Sequence, residues 1–537
     1  MREKEYGVIS IQEIVYLVSF LILFGARAVG LYEGQLLYNI ALVLGLLTWG
    51  IKILLTEHSL LEYIMIGFLV LLTLIIYKNT GEKGILLYFT MMLGMKNVSV
   101  KRVFKCGLGI LSVSYVILVT LSLLGIHSEI MYIQSRSGWG NVFRHALGYP
   151  HPNTLHSTYV VLVALILYLV GKQSWKKLLS ISLGLFFVSC YIYLYSGSRT
   201  GLLSTGIYLL INFWFQMRKE ISFIEKCLIY LLYPACIIFS TIGPFVIKGK
   251  LYEIINKALS ERWMLSVYYL ENEPITLFGT RFKEAPTIHY MIDSSYLYSF
   301  LQLGVVAFCI ITFMYICVVH KSVKDNARSE LVLIVSFCIM GISDPFLFNL
   351  SYKNLAFIFI GKMVYDYLQE IDNRFPKLMK SSIQVLKIGN KRLKFQKIII
   401  KNKNLPQIKW THTVCVFVIS VVMSTIFYMS VSNEPNAMYV SKTIWDDNWR
   451  RCLAPLWEMQ VEEIFLTMEE VQELERIGEL IYDYQNEGEP MYMIPGEPPR
   501  MEYIRNVASI GFWSGIFAAV FFWIFKYTMR RKSNGIE

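Results

Sequence analysis

The stretch that decides the fold is LLSISLGLFFVSCYIYLYSGSRTGLLSTGIYLLINFWFQ, residues 178–216. Two apolar blocks flank the turn SGSR, and the only charge is Arg199, at the head of the second block. Each block is close to the length that crosses a hydrocarbon core of roughly 30 Å as a helix. Lipid offers no hydrogen-bond partners, so a block lying in it must satisfy its own backbone, which a helix does within one segment. Barrel strands would run about ten residues with strict alternation, a pattern the chain lacks. Working outward, comparable blocks lie at 8–25, 36–55, 60–77, 84–96, 105–125, 154–171, 178–195, 201–216, 228–247, 294–318, 330–346, 352–368, 412–430 and 506–526. The expected fold class is all-α: a polytopic membrane helical bundle of about fourteen transmembrane helices, with a large loop between the ninth and tenth.

Composition agrees. Of 537 residues, 55% are hydrophobic and 17% charged, and the mean hydropathy is +0.48; a soluble chain carries about a quarter charged residues. The net charge of +12 would suit nucleic acid, but its distribution points to a membrane. With the N-terminus in the cytoplasm, inner segments carry Arg2 and Lys4; Lys96, Lys101, Arg102 and Lys105; Lys172, Lys176 and Lys177; Arg218, Lys219 and Lys226; Lys321, Lys324 and Arg328; and Lys526, Arg530, Arg531 and Lys532. That is the positive-inside pattern, and it predicts an inner-membrane protein with both termini cytoplasmic and no nucleic-acid partner. Of nine cysteines, only Cys452 lies in a polar region, so no disulfide framework or CxxC metal pattern is expected. The first apolar block is followed by Arg27 and another span, so it reads as a retained helix and not a cleaved signal.

The chain divides into three parts. Residues 1–368 are expected to form a twelve-helix core, 369–411 a basic cytoplasmic linker, and 412–537 an appended helix, an acidic extracytoplasmic region and a last helix. The linker has eleven Lys/Arg against two Asp/Glu, whereas 432–505 has six against sixteen, as a membrane lying between them requires. Within the acidic region, Val461, Ile464, Met468, Val471, Leu474, Ile477 and Ile481 recur three or four apart, which predicts an amphipathic helix over 456–485.

Polar residues at the membrane edge are costly and mark functional candidates. Three clusters qualify, all on the expected outer side. RHALGYPHPNTLHSTY, 144–159, offers Arg144, His145, His151, Asn153 and His156 at a helix start capped by Thr154 or Ser157; the bland reading is an ordinary polar helix start. Three histidines suggest a metal, but no HExxH or nearby carboxylate pair accompanies them, so none is expected. In YLYSGSRTGLL, 193–203, Arg199 opens a helix after a small-residue turn. Free N–H groups and a guanidinium make an anion site, against the plain alternative of a snorkelling arginine. The large loop, 248–293, carries Arg262 and Arg281, aromatics suited to sugar faces (Trp263, Tyr268, Tyr269 and Tyr290, with Tyr296 just beyond it), and the candidate acids or bases Glu261, Glu271, Glu273, Glu284, His289 and Asp293. Asp344 and Lys353, on the next outer loop, are candidates for the same cavity.

The order of these motifs, HPN at a helix start, then SGSRTGLL, then a large loop with GTRF, then IDSSYLYSFLQLG, resembles the O-antigen polymerase and O-antigen ligase superfamily over about residues 85–368. The resemblance implies a GT-C-type inverting glycosyltransferase at the outer face of the inner membrane, with no metal, nucleotide sugar or cofactor. Its substrate would be undecaprenyl-diphosphate-linked glycan, as donor and, for a polymerase, as acceptor; a ligase uses another acceptor. By the same resemblance Arg199 binds the diphosphate, with Arg262 and Arg281 as companions. Arg144, His151 and Asn153 complete the expected binding set. The general base is His289 or Asp293, with His151 as a third choice; the DSSYL stretch has Asp293 where the family often has His or Asn. Membrane lipid, a chain-length regulator and a flippase would be the partners. The appended part resembles chain-length regulators in topology alone, and its plainer reading is a helix pair that docks on the core. A transporter is the alternative from another class, but the matched halves and midplane polar groups it requires are not seen.

Overall fold

The computed structural model describes residues 6–127, 131–136, 140–282, 292–345, 352–374, 383–386, 392–396, 410–432, 438–445, 448–454, 462–467, 476, 481–486, 489–494 and 500–533. The chain opens with strand β1 (Tyr6–Ser10) and helices α1 (Ile11–Ala28), α2 (Leu36–Leu55), α3 (Leu60–Thr80), α4 (Gly84–Leu93) and α5 (Val100–Leu123). A hairpin of β2 (Met131–Arg136) and β3 (Gly140–His145) precedes α6 (Pro152–Val170), α7 (Trp175–Ser196), α8 (Arg199–Met217) and α9 (Phe223–Thr241). Short helices follow: α10 (Gly243–Val246), α11 (Lys250–Ala258), α12 (Arg262–Asn272) and α13 (Ser295–Leu297), the last running into a π turn at Tyr298–Gln302. Then come α14 (Val305–Lys324), α15 (Arg328–Met340), α16 (Ala356–Arg374), strand β4 (Arg392–Gln396) and α17 (Trp410–Val431). Strands β5 (Met438–Trp445), β6 (Asn448–Ala454), β7 (Glu462–Thr467), β8 (Ile481–Asn486) and β9 (Glu489–Ile494) lead to α18 (Arg500–Ser533).

Among the described residues, ten helices are long and apolar enough to cross a membrane: α1, α2, α3, α5, α6, α7, α9, α14, α17 and α18. The protein is therefore a multi-pass helical membrane protein. Helices α8 and α16 stand where blocks were expected but are less apolar, and α4 and α15 are shorter, at 10 and 13 residues. The block expected at 294–318 is broken: Gly304, with φ 87 and ψ 164, separates the 295–302 segment from α14. The amphipathic helix expected over 456–485 is corrected as well, because 462–467 and 481–486 are strands. Their side chains include Ile464, Phe465, Ile481, Tyr482 and Tyr484, the β-branched and aromatic types that suit a pleated sheet.

By contacts the chain forms two units. The first comprises 1–120, 157–186 and 200–396. Its helices begin at local signals: Ser10 accepts the Glu13 N–H ahead of α1, and Ser59–Glu62 and Ser222–Glu225 form capping boxes at α3 and α9. Close packing uses glycines. A Cβ on Gly45 would fall 2.5 Å from Leu23, which lets α2 approach α1, and one on Gly361 would fall 2.2 Å from the Met92 carbonyl, which lets α16 approach α4. Aromatic rings fill the interior. Tyr88 stacks on Phe357 with centroids 5.0 Å apart, and Tyr233 stacks on Tyr315 at 4.8 Å.

At the end where α1 begins, backbone pairing ties distant segments together. β1 and β4 are antiparallel, from Tyr6 opposite Gln396 to Ser10 opposite Arg392. His58 and Ile383 exchange backbone hydrogen bonds at 3.1 and 2.9 Å, and Gln384 and Leu386 donate to the Leu55 and Leu54 carbonyls. Glu13 accepts both Nε and Nη2 of Arg102 at 2.6 Å, and Glu62 pairs with His58 and Lys96.

The second unit comprises 121–156, 187–199 and 397–537. Its core is the antiparallel pair α17 and α18. A Cβ on Gly515 would fall 2.7 Å from Phe417 and Val421, and one on Gly511 would fall 2.6 Å from Thr425 Oγ1. Small residues at this four-residue spacing bring helices together in lipid, where apolar burial gives no driving force. The Ser424 and Ser514 hydroxyls add a hydrogen bond across the seam. A five-stranded antiparallel sheet, in the order β7-β6-β5-β9-β8, connects the two helices, and β2 lies against β8.

Candidate functional site

The candidate residues fall into two groups, one in each unit. In the second unit, the site is built on the SGSR turn. Gly197 closes α7 with φ +56, and its N–H donates to the Tyr193 carbonyl at 2.8 Å. A left-handed residue costs glycine nothing there, so α8 begins two residues later, at Arg199. Arg199 is exposed at that helix start. Beneath the turn lies Arg144, which is buried: its Nε donates to the Ser196 carbonyl at 2.9 Å, and its Nη2 donates to Asn153 Oδ1. One guanidinium thereby joins the end of α7 to the start of α6. The cost of burying it is offset by charge-assisted hydrogen bonds.

The three histidines face three different partners. His156 is fully buried, with Nδ1 3.2 Å from Ser196 Oγ and Nε2 2.9 Å from Ser189 Oγ, so it braces α6 against α7. His151 Nδ1 accepts the Asn153 N–H at 3.1 Å, and its ring lies 4.8 Å from that of Tyr132. Burial first, and then the Arg144 charge, pull its pKa down to about 4. A neutral ring accepting at Nδ1 carries its proton on Nε2. His151 therefore presents its Nε2–H as a hydrogen-bond donor, and its lowered pKa makes the ring a weak base. His145 Nε2 hydrogen-bonds to the Arg505 guanidinium of α18. Among the described residues, no group of three His, Cys, Asp or Glu is placed to hold a metal ion.

In the first unit, Arg262 opens α12. Its Nη1 donates to the Leu259 carbonyl and its Nη2 pairs with Asp293 Oδ2, both at 2.8 Å. Among the described residues, its buried Nε has no hydrogen-bond partner. Burial raises the Asp293 carboxyl above its ordinary range, and the Arg262 charge opposes the rise. Arg281 is exposed beside Gly81. The adjacent Glu82 accepts from the Tyr298 hydroxyl at 2.7 Å and from Gln302 Nε2 at 2.5 Å. Burial raises Glu82 too, with the Tyr298 hydrogen bond opposing. Segment 276–279 is held against the break before α14: Val305 and Val306 donate to the Thr276 and Leu277 carbonyls at 3.0 and 3.1 Å. Lys353 is buried and donates to Thr158 and Ser157 at 2.7 and 3.3 Å, and the Asp344 carbonyl accepts from Ser295 Oγ. His289, Glu284 and Tyr290 lie outside the described residues.

The structure thus brings together Arg144, His151, Asn153 and the SGSR turn in one unit, and pairs Arg262 with Asp293 in the other. Two residues that sequence reasoning missed are Glu82, in a three-residue turn, and Arg505, at the rim of the last apolar block. Glu82 sits beside Lys83 between two spans, and Arg505 follows Arg500 and Glu502 at the border of the last span, so neither stood out from the charges around it. No family model, curated protein or solved structure matches the chain.

Proposed function

We propose that the protein is a metal-independent inverting glycosyltransferase. It polymerises undecaprenyl-diphosphate-linked oligosaccharide repeat units at the outer face of a bacterial cytoplasmic membrane, with fourteen crossings and both termini inside. The carrying observation is the SGSR turn: an exposed Arg199 heads α8, on a turn held by the buried Arg144. A diphosphate leaving group needs fixed positive charge where its own charge develops. Preorganised donors supply that stabilisation without reorganising, and a guanidinium grips phosphate oxygens in pairs.

His151 and Asn153 add neutral groups for the glycan. Arg262 and Arg281 are the companion cations on the large loop. Asp293, oriented by Arg262, is the base that takes the proton from the acceptor hydroxyl, and its raised pKa strengthens it for that role. Attack of that oxygen on the anomeric carbon breaks the bond to the diphosphate oxygen, and the carrier leaves as the diphosphate. His289 is the alternative base.

The test is purified protein in detergent with undecaprenyl-diphosphate oligosaccharide and neither metal nor nucleotide sugar. Longer lipid-linked glycans support the reading. Transfer to another acceptor with no lengthening moves the assignment to a ligase, and carriage across vesicles without bond formation moves it to a transporter. Arg199→Ala should lower transfer by about 10²–10³-fold with expression intact, and Arg199→Lys should recover little. Wild-type rates in Arg199→Ala would remove the site assignment.

A further inference from the structure

Helix α18 meets α7 in a defined register. Ser509 Oγ lies between the Tyr191 and Tyr195 hydroxyls, at 3.0 and 3.1 Å. Trp513 Nε1 donates to the Tyr191 hydroxyl at 3.2 Å, and Phe512 stacks on the Tyr191 ring with centroids 4.7 Å apart. Residues 505, 509, 512 and 513 form one stripe of the helix. At the head of that stripe, Arg505 sets its guanidinium over the Tyr195 ring, 5.1 Å from the centroid, and hydrogen-bonds to His145 Nε2.

The aromatic stripe alone would dock a helix. An arginine at the rim of an apolar span ordinarily turns its charge to water, yet this one turns to a ring and an imidazole. Its target is the neighbour of Arg144 on β3, and Arg144 holds the Ser196 carbonyl three residues before Arg199. The same hairpin is backed by the acidic sheet through β2 and β8.

We infer that the appended module is a working part of the candidate site and that Arg505 is its positioning residue. Arg505 fixes His145, and through β3 it fixes the Arg144 guanidinium that sets the SGSR turn. The kinetic consequence rests on the proposed polymerase reading; the mechanical one does not.

Two measurements on the full-length chain in detergent separate them. The first is amide hydrogen exchange over 193–201 in wild type, Arg505→Ala, Arg505→Lys and His145→Ala. Loss of Arg505 or His145 should speed exchange of the Gly197 and Ser198 amides about tenfold, a change from local opening, while helices α1–α3 keep their protection. The second is transfer kinetics on lipid-linked oligosaccharide. Arg505→Ala should lower kcat by up to about 10²-fold through misplacement of the Arg199 turn, with KM changed by less than about twofold. Arg505→Lys should restore less than half the loss, because an ammonium lacks the flat guanidinium that covers the Tyr195 ring while reaching His145. Unchanged exchange at 193–201 in a folded Arg505→Ala protein overturns the inference. Faster exchange with unchanged kcat confines Arg505 to a structural role and overturns it equally. An inactive wild type sinks the polymerase reading alone, and exchange then decides whether Arg505 sets the turn.

Discussion

Gly304→Ala is the substitution whose cost can be worked most directly from the structure. Gly304 has φ 87 and ψ 164, a region essentially closed to residues with a side chain and costing about 1–3 kcal/mol where it is forced. A Cβ there would fall 2.2 Å from the Gly279 nitrogen and 2.7 Å from the Leu277 carbonyl oxygen. Both atoms are backbone, so no side chain can swing away. Segment 276–279 must lift, and the Val305–Thr276 and Val306–Leu277 hydrogen bonds go with it, at about 1 kcal/mol each. The sum is about 3–5 kcal/mol, against a stability of roughly 5–15 kcal/mol for a whole domain. The assay is thermal unfolding in detergent together with limited trypsin digestion, since Arg281 stands two residues beyond Gly279 and is exposed. Gly304→Ala should melt several degrees lower and be cut at Arg281 faster than wild type. Gly34→Ala is the control, because it has φ +97 with nothing within 4 Å of the new Cβ, and should show only the backbone cost. Equal melting and equal cleavage for Gly304→Ala and Gly34→Ala would refute the reasoning.

Two further outcomes follow from other parts of the molecule. Gly515→Leu should wedge α17 from α18, because even a Cβ meets Phe417 and Val421 at 2.7 Å; the cost is about 1–3 kcal/mol, read as a lower melting point, and an unchanged melting point would show that the seam is looser than described. His151 should stay neutral down to about pH 4, which carbon-13 histidine NMR can follow. Its pKa is lower folded than unfolded, so the unfolded chain binds the extra proton between about pH 6.5 and pH 4, and stability falls with pH across that window. The loss is on the order of 3 kcal/mol, and a titration near pH 6.5 would contradict the burial that causes it.

Much of the bundle was legible because a membrane imposes one requirement on length and polarity, and ten segments such as 178–195 meet it without help from tertiary context. What stayed hidden depends on partners far away in the chain. IDSSYLYSFLQLG reads as the start of a span because Ser295, Tyr296 and Tyr298 look like interfacial residues. The break at Gly304 exists only because the Gly279 backbone packs against it. Spacings of three and four in 456–485 mimic a helix, yet strands β7 and β8 form there because β6 and β9 offer edges to pair with. At the site, the SGSR turn and the HPN helix start declared themselves as polar runs at apolar borders. Arg505 did not, since its partner His145 is 360 residues distant.

The pairing of β1 with β4 carries a consequence for how the chain is made. The backbone groups of Tyr6–Ser10 leave the ribosome ahead of α1, but their antiparallel partners at 392–396 arrive only after α1–α16 have been synthesised. Until then the first strand is a bare edge, and the helices must insert without it. Closing this seam is therefore a late step of assembly. A chain released before residue 392 would carry α1–α16 but leave β1 without its β4 partner, the kind of edge that seeks another chain to pair with.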